Sequence, residues 1–279
     1  MAKLNSEANE QAVTTRQWIG LQTDLPRLDC ELALCQILGV NRASILAQPE
    51  RALSLLQLEE LDYWTSSLRK DIPFAYLSGD QEFWGLSLNV SPDVLVPRPE
   101  TELLVESALS LLKRNAQLLD LGTGSGAIAL AIASERQDAQ VTATDVSAKA
   151  LQVAKQNAEQ LGITVNFQES HWFKNLGGTW QIIVSNPPYI DPDDPHLKHL
   201  HAEPQHALIA GEKGLADLRE IISEAPAYLN NKGWLLVEHG YDQAEQVRHL
   251  LEQRGFQAVT SHKDLANIER ISLGQYIYE

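Results

Sequence analysis

Asn186-Pro187-Pro188-Tyr189 is the stretch of this 279-residue chain most suited to chemistry. Each proline fixes φ near -65° and lacks an N–H, so the turn is stiff and its carbonyl oxygens are left as acceptors. The Asn186 side-chain oxygen and the Pro187 carbonyl can each take one N–H of a planar NH₂ group. Such a nitrogen is a poor nucleophile because its lone pair is delocalised, the conjugation behind the ~18–20 kcal/mol rotation barrier of an amide. Preoriented acceptors, typically worth roughly 3 kcal/mol each, stabilise positive charge as the nitrogen turns tetrahedral and attacks a methyl carbon in line. Tyr189 can wall or stack on the planar group. No strong general base is needed, since the nitrogen becomes acidic only after alkylation and can release its proton to water. A lone Asn-Pro-Pro would read as a rigid loop with an aromatic anchor, so its neighbours decide.

The first neighbour is Gly122-Thr123-Gly124-Ser125-Gly126, between the apolar run Leu118–Leu121 and a helix start at Ala127. In a doubly wound sheet the turn after the first strand opens onto the ligand crevice, and residues without Cβ let the backbone approach a ligand. The next strand ends in Asp145, about twenty residues on, where a carboxylate can accept from two ribose hydroxyls. Gly122-x-Gly124-x-x-Ala127 also fits a dinucleotide fingerprint, so the loop alone does not separate a nicotinamide enzyme from a methyltransferase. Gln181–Ser185 reads as a fourth parallel strand, which puts Asn186 on the same rim. His196, His199, His201 and His206 follow in a Pro-Asp-rich loop. With no cysteine beside them and a reaction that needs no metal, they read as part of a substrate entrance and no metal site is expected.

These residues need a frame to hold them. From Thr15 to Lys70 apolar residues recur at helical spacing, with Asp24 and Pro26 marking a start, Gly39 and Asn41 a stop, and Gln48-Pro49 a break, which predicts a small helical bundle. Cys30 and Cys35 lie five apart within it, too few and too divergent for a disulfide framework or a shared metal. Glu82–Val90 and Asp93–Val96, around Ser91-Pro92, predict a β-hairpin. Strands at 117–121, 140–144, 164–168 and 181–184 alternate with helices, predicting a parallel sheet covered on both faces. Helices over 215–229 and 242–254 and strands over 233–238 and 271–278 complete it.

Charge narrows the substrate. Acidic residues outnumber basic ones 37 to 22, a formal charge of -15. Residues 1–80 hold 7 basic and 11 acidic side chains and residues 81–279 hold 15 and 26, so neither part supplies a basic groove for phosphates. No window of about 18 apolar residues occurs, and the polar start MAKLNSEANEQ carries no leader pattern, so a cytoplasmic protein with no membrane partner is expected. The absence of a sustained heptad predicts a monomer.

The Asn-Pro-Pro-Tyr turn after a Gly-x-Gly-x-Gly loop and an Asp-ended second strand resembles the S-adenosylmethionine-dependent amino-methyltransferases, which modify adenine N6, guanine N2 or glutamine N5. Val96-Pro97-Arg98-Pro99-Glu100-Thr101-Glu102, Ser185 through Asp191, and Val237-Glu238-His239-Gly240 are more specific. With the helical amino-terminal part, they resemble the peptide chain release factor N5-glutamine methyltransferases along nearly the whole chain. The resemblance implies an α/β fold: a seven-stranded doubly wound class I methyltransferase sheet over 98–279, preceded by a small all-α bundle over 1–80 that docks the substrate and a β-hairpin linker over 81–97. It implies S-adenosyl-L-methionine held by Gly122, Thr123, Gly124, Ser125, Gly126 and Asp145, with Trp172 near its adenine and Asn186 beside it. It further implies that Asn186, Pro187, Pro188 and Tyr189 bind the glutamine of a Gly-Gly-Gln loop on class-1 release factors, with Asn186, Pro187 and Tyr189 catalytic. Arg98, Glu100 and Glu102 match the family motif and equally fit the first turn of a helix starting near Pro99. His171 departs from the pattern, standing where related enzymes carry an acid. A DNA or RNA base methyltransferase using the same turn is the nearest rival, and the charge opposes it. A nicotinamide oxidoreductase would leave Asn186–Tyr189 without a role.

Overall fold

The computed structural model describes residues 12–278, so the polar start of the chain lies outside the described residues. Two compact units meet at Ser78 and Gly79.

The first unit is helical: α1 Thr15–Leu21, α2 Arg27–Leu38, α3 Arg42–Ala47, α4 Leu55–Leu68 and α5 Phe74–Ser78. Local sequence sets the starts. Thr14 with Gln17 and Ser54 with Gln57 form capping boxes, and the Asn41 side chain accepts from Ser44 N. Trp18, Leu34, Ile45, Leu53 and Leu61 form the core, and Cys30 is buried among them as a free thiol. Glu31 on α2 is 1% exposed and held by Arg27 at 2.7 Å and Arg42 at 2.6 Å.

The second unit opens with a hairpin, β1 Asp80–Phe83 and β2 Leu86–Asn89, whose turn is Trp84-Gly85. The residue pattern had pointed to a break at Ser91-Pro92. Both central residues of the actual turn take positive φ, 54° and 73°, the primed two-residue turn that matches strand twist, and Asp93–Val96 forms no strand. Phe83 and Leu88 enter the main core, and Asn89 bonds to Asn157 at 2.7 Å through its backbone N–H.

Then come α6 Glu102–Leu111, β3 Gln117–Leu121, α7 Ala127–Glu135, β4 Gln140–Asp145, α8 Ala148–Leu161, β5 Asn166–Glu169, β6 Trp180–Ser185, the short α9 Gly211–Gly214, α10 Ala216–Glu224, β7 Leu229–Glu238, α11 Ala244–Gln253, β8 Phe256–Lys263 and β9 Glu269–Tyr276. The seven strands from β3 to β9 order as β5-β4-β3-β6-β7-β9-β8. Five pair in parallel, as the strand–helix alternation predicts, and β9 runs antiparallel to both β7 and β8, so the seven-stranded sheet is mixed at that edge. The helix expected over 215–229 stops earlier, since Pro226 breaks it into a 3₁₀ turn at Ala225–Ala227. Strand alternation shows the double winding. Leu118, Ile182, Val184 and Leu236 pack on α6 and α7, whereas Leu119, Ile183, Leu235 and Val237 pack on α10 and α11. No helix among the described residues is long and apolar enough to cross a membrane.

Candidate active site

The chain runs outward from β3 through β4 to β5, then returns to β6 on the other side of β3, so the topological switch lies between β3 and β6. Leu121 pairs with Ser185, which sets the next residues, Gly122 and Asn186, side by side on the carboxyl rim. A cavity of about 320 Å³ opens there, lined in part by Gly122, Gly124, Asp145, Trp172, Asn186 and Pro188. Its size lies within the range of roughly 300–1,000 Å³ usual for small-molecule sites.

Other residues of the loop serve its shape. The Thr123 hydroxyl turns inward and donates to Asp120 Oδ2 at 2.6 Å, and the Ser125 carbonyl accepts from Asn157. Gly126 begins α7 where a Cβ would come within 3.0 Å of Leu130 and 3.2 Å of Ala154, so glycine lets α7 approach α8 closely. Asp145 ties the loop down as well as facing the cavity: Oδ2 accepts from Gly124 N at 2.9 Å and Oδ1 from Ser147 N at 2.8 Å. Burial pushes its carboxyl pKa up, and the Ser147 and Gly124 N–H groups pull it back. Each oxygen retains a second lone pair for a hydroxyl donor. Behind it, burial pushes the Asp120 carboxyl up to about 7, with Thr123 opposing and the Asp145 charge adding to the rise.

Trp172 sits in the left-handed region at φ 46°, and a Cβ on Gly122 would stand 3.4 Å from its ring. The buried indole N–H faces the Asp217 carboxyl and draws its pKa down. A non-glycine residue held in the left-handed region on the cavity wall is the kind of backbone strain that clusters at ligand sites. His171 is exposed and lies 3.6 Å from Glu220. Asp217 of α10 lines the same wall, its pKa raised by burial and by Glu220, with the Trp172 indole N–H and His171 opposing.

Asn186 Nδ2 donates to Thr101 Oγ1 at 3.3 Å, and no protein hydrogen bond among the described residues uses Asn186 Oδ1. Pro187 is buried. Tyr189 donates its hydroxyl to Glu238 Oε1 at 3.3 Å, and its carbonyl accepts from Gln243 Nε2 at 3.1 Å. Burial raises the Tyr189 phenol pKa and pushes the Glu238 carboxyl up to about 7. The motif after Val96 divides its work. Arg98 pairs with the buried Glu203, which also accepts from Val96 N at 3.1 Å, while Glu102 accepts from Trp84 N at 2.9 Å. Pro99 starts a 3₁₀ turn, with Glu100 in its first turn.

The loop after the turn closes on itself, with Ile190 N donating to Leu208 O at 2.9 Å and Ala210 N to Ile190 O at 3.1 Å. This brings His206 onto the cavity wall. His196 instead contacts Asp194, and His201 the Lys198 carbonyl. No group of three or more His, Cys, Asp or Glu among the described residues could hold a metal ion. Thr101, Asp217 and Gln243 escaped the sequence reading. Thr101 lies within Val96–Glu102, where its type signals only a helix start, and the other two are ordinary helix-end residues that only tertiary folding brings near the turn.

Residues 99–263 match the family model described as Methyltransferase small domain, and residues 19–79 the PrmC N-terminal domain. The chain is 48% identical over 255 residues to a release factor glutamine methyltransferase of Pseudomonas aeruginosa, covering 90% of this chain and 92% of that one. It is 45% identical over 260 residues to one of Vibrio cholerae, covering 91% of each. Among solved structures, a methyltransferase from Pyrococcus furiosus superposes with a TM-score of 0.55 at 20% identity, over 70% of this chain and 90% of that one. A T. thermophilus 16S rRNA N2 G1207 methyltransferase in complex with AdoMet and guanosine gives 0.54 at 19%, over 70% and 49%. These two likenesses speak to the fold. Sequence identity sustained through both units goes further, and the chain belongs to the release factor glutamine methyltransferase family.

Proposed function

We propose that the protein transfers a methyl group from S-adenosyl-L-methionine to the side-chain amide nitrogen N5 of the glutamine in the Gly-Gly-Gln loop of class-1 peptide chain release factors. The observation that carries this reading is Asn186: on the switch-point rim beside the glycine loop, with Nδ2 engaged by Thr101 and Oδ1 left as acceptor. When bound, the cofactor supplies an electrophilic methyl carbon. The fit is supported by the cavity's bare backbone at Gly122 and Gly124, the remaining lone pairs of Asp145 and the Trp172 indole on the cavity wall. Thr123, Ser125 and Gly126 hold the loop in shape, and Pro188 contributes to the wall.

The remaining work falls to the substrate side. Asn186 Oδ1 and the Pro187 carbonyl accept the two amide N–H groups and stabilise the charge that develops on nitrogen. Tyr189, held by Glu238 and Gln243, fixes the turn from behind and flanks the amide. The proton leaves to water once the nitrogen is tetrahedral. In this reading residues 1–80 dock the release factor, 81–97 link, and 98–279 catalyse, in a cytoplasmic monomer that binds no nucleic acid directly.

Methylation of a DNA or RNA base by the same turn is the competing outcome. The test offers radiolabelled S-adenosylmethionine with a release factor, duplex DNA and ribosomal RNA in parallel. Label should enter the release factor alone, and label in either nucleic acid with none in protein would overturn the assignment.

A further inference from the structure

Two prolines fix the main chain of the active-site turn, but neither fixes the Asn186 side chain. The terminal torsion of asparagine is broad and roughly two-fold, so the amide can present either end to a substrate. The choice decides the chemistry. Oδ1 toward the substrate accepts an N–H, whereas Nδ2 toward the substrate sets donor against donor and leaves the charge on the reacting nitrogen unsupported.

Thr101 makes that choice. It closes the 3₁₀ turn Pro99–Thr101 that leads into α6 and is 4% exposed. Its hydroxyl oxygen accepts from Asn186 Nδ2, a partner 85 residues away in sequence. A buried acid stands near the hydroxyl. Glu238 lies one residue past the Ser185–Val237 pair, is 1% exposed, and accepts from Tyr189 on Oε1. Interaction with the Thr101 hydroxyl draws the Glu238 carboxyl pKa down against its burial. Glu238 Oε2 is buried with no hydrogen-bond partner, so an acceptor for the threonine proton stands ready there and the threonine oxygen is left to accept from Asn186. Two segments distant in sequence, Val96–Glu102 and Val237–Gly240, thus meet behind the turn.

We propose that Thr101 is a positioning residue for methyl transfer, selecting the Asn186 orientation that turns Oδ1 to the substrate amide. The inference rests on the proposed reading of Asn186 as the amide acceptor. It is tested in the full chain with a release factor as substrate. Thr101→Val keeps the side-chain shape and removes the acceptor, while Thr101→Ser keeps the acceptor and removes a methyl group. The valine variant should lose at least tenfold in kcat with S-adenosylmethionine affinity by calorimetry within threefold of wild type, and the serine variant should recover to within threefold of wild-type kcat. A packing role predicts otherwise: valine near wild type, or serine as slow as valine, and either result overturns the proposal. Asn186→Ala, assayed alongside, separates the two claims. An inactive Asn186→Ala with an unimpaired Thr101→Val sinks only the role of Thr101, whereas a fully active Asn186→Ala sinks the acceptor reading and the positioning role together.

Discussion

The acceptor role proposed for Asn186 depends on neighbours that are themselves costly to bury. Glu238 is the clearest case, with a carboxyl held at about 7 in the folded chain against an ordinary 4.5, first by burial and then despite Thr101, Tyr189 and Arg270, with Glu100 opposing them. Between those values the unfolded chain ionises while the folded one keeps its proton. Stability present at low pH is therefore lost as pH rises toward 7, by ~1.4 kcal/mol for each pH step of one across that window. Glu238→Gln cannot ionise and retains the Oε1 acceptor. Its thermal midpoint should gain on wild type progressively from pH 5 to about 7 and then level off, and a difference that does not vary with pH would refute the buried-acid account. At this scale the sequence was informative where chemistry is concentrated locally: Asn186, Asp145 and Trp172 all reach the cavity. It was silent where a partner comes from afar, as Asp217 does from α10 to the cavity wall beside Trp172.

Elements were legible in proportion to the apolar surface they bury. β3 and β6, nearly fully buried, read clearly as strands, whereas β8 is an edge strand with a single buried residue and no apolar pattern to mark it. The hairpin is legible but its turn is not, because Trp84-Gly85 lacks the Asn-Gly or Asp-Gly signature while Ser91-Pro92 carries a break signal. The packing of α9 against the active-site turn was not readable. Glu212 and Lys213 take φ of 52° and 58°, and Gly214 follows at 82° against the Tyr189 carbonyl. A Cβ there would lie 2.1 Å from that oxygen and 2.6 Å from Gln243 Nε2, so only glycine fits. Gly214→Ala should cost at least about 2 kcal/mol in urea unfolding, combining backbone strain with overpacking. Gly177→Ala, with nothing within 4 Å, should stay within about 0.5 kcal/mol of wild type. Equal stability of the two variants would contradict the close approach.

For the whole molecule, a net charge of -15 spread over both parts is a poor match to a phosphate backbone and compatible with a protein substrate. The glycine loop alone left open a nicotinamide enzyme. Its position at the β3–β6 switch beside Asn186 supports the proposed methyl transfer, and identity through both units supplies the family. The substrate amide is the claim on which the rest depends. Purified enzyme, a class-1 release factor and S-adenosylmethionine should yield, by peptide mass spectrometry, one methyl group on the side chain of the Gly-Gly-Gln glutamine and none on a release factor with that glutamine replaced by alanine. Methylation elsewhere in the release factor with that glutamine untouched would contradict the account.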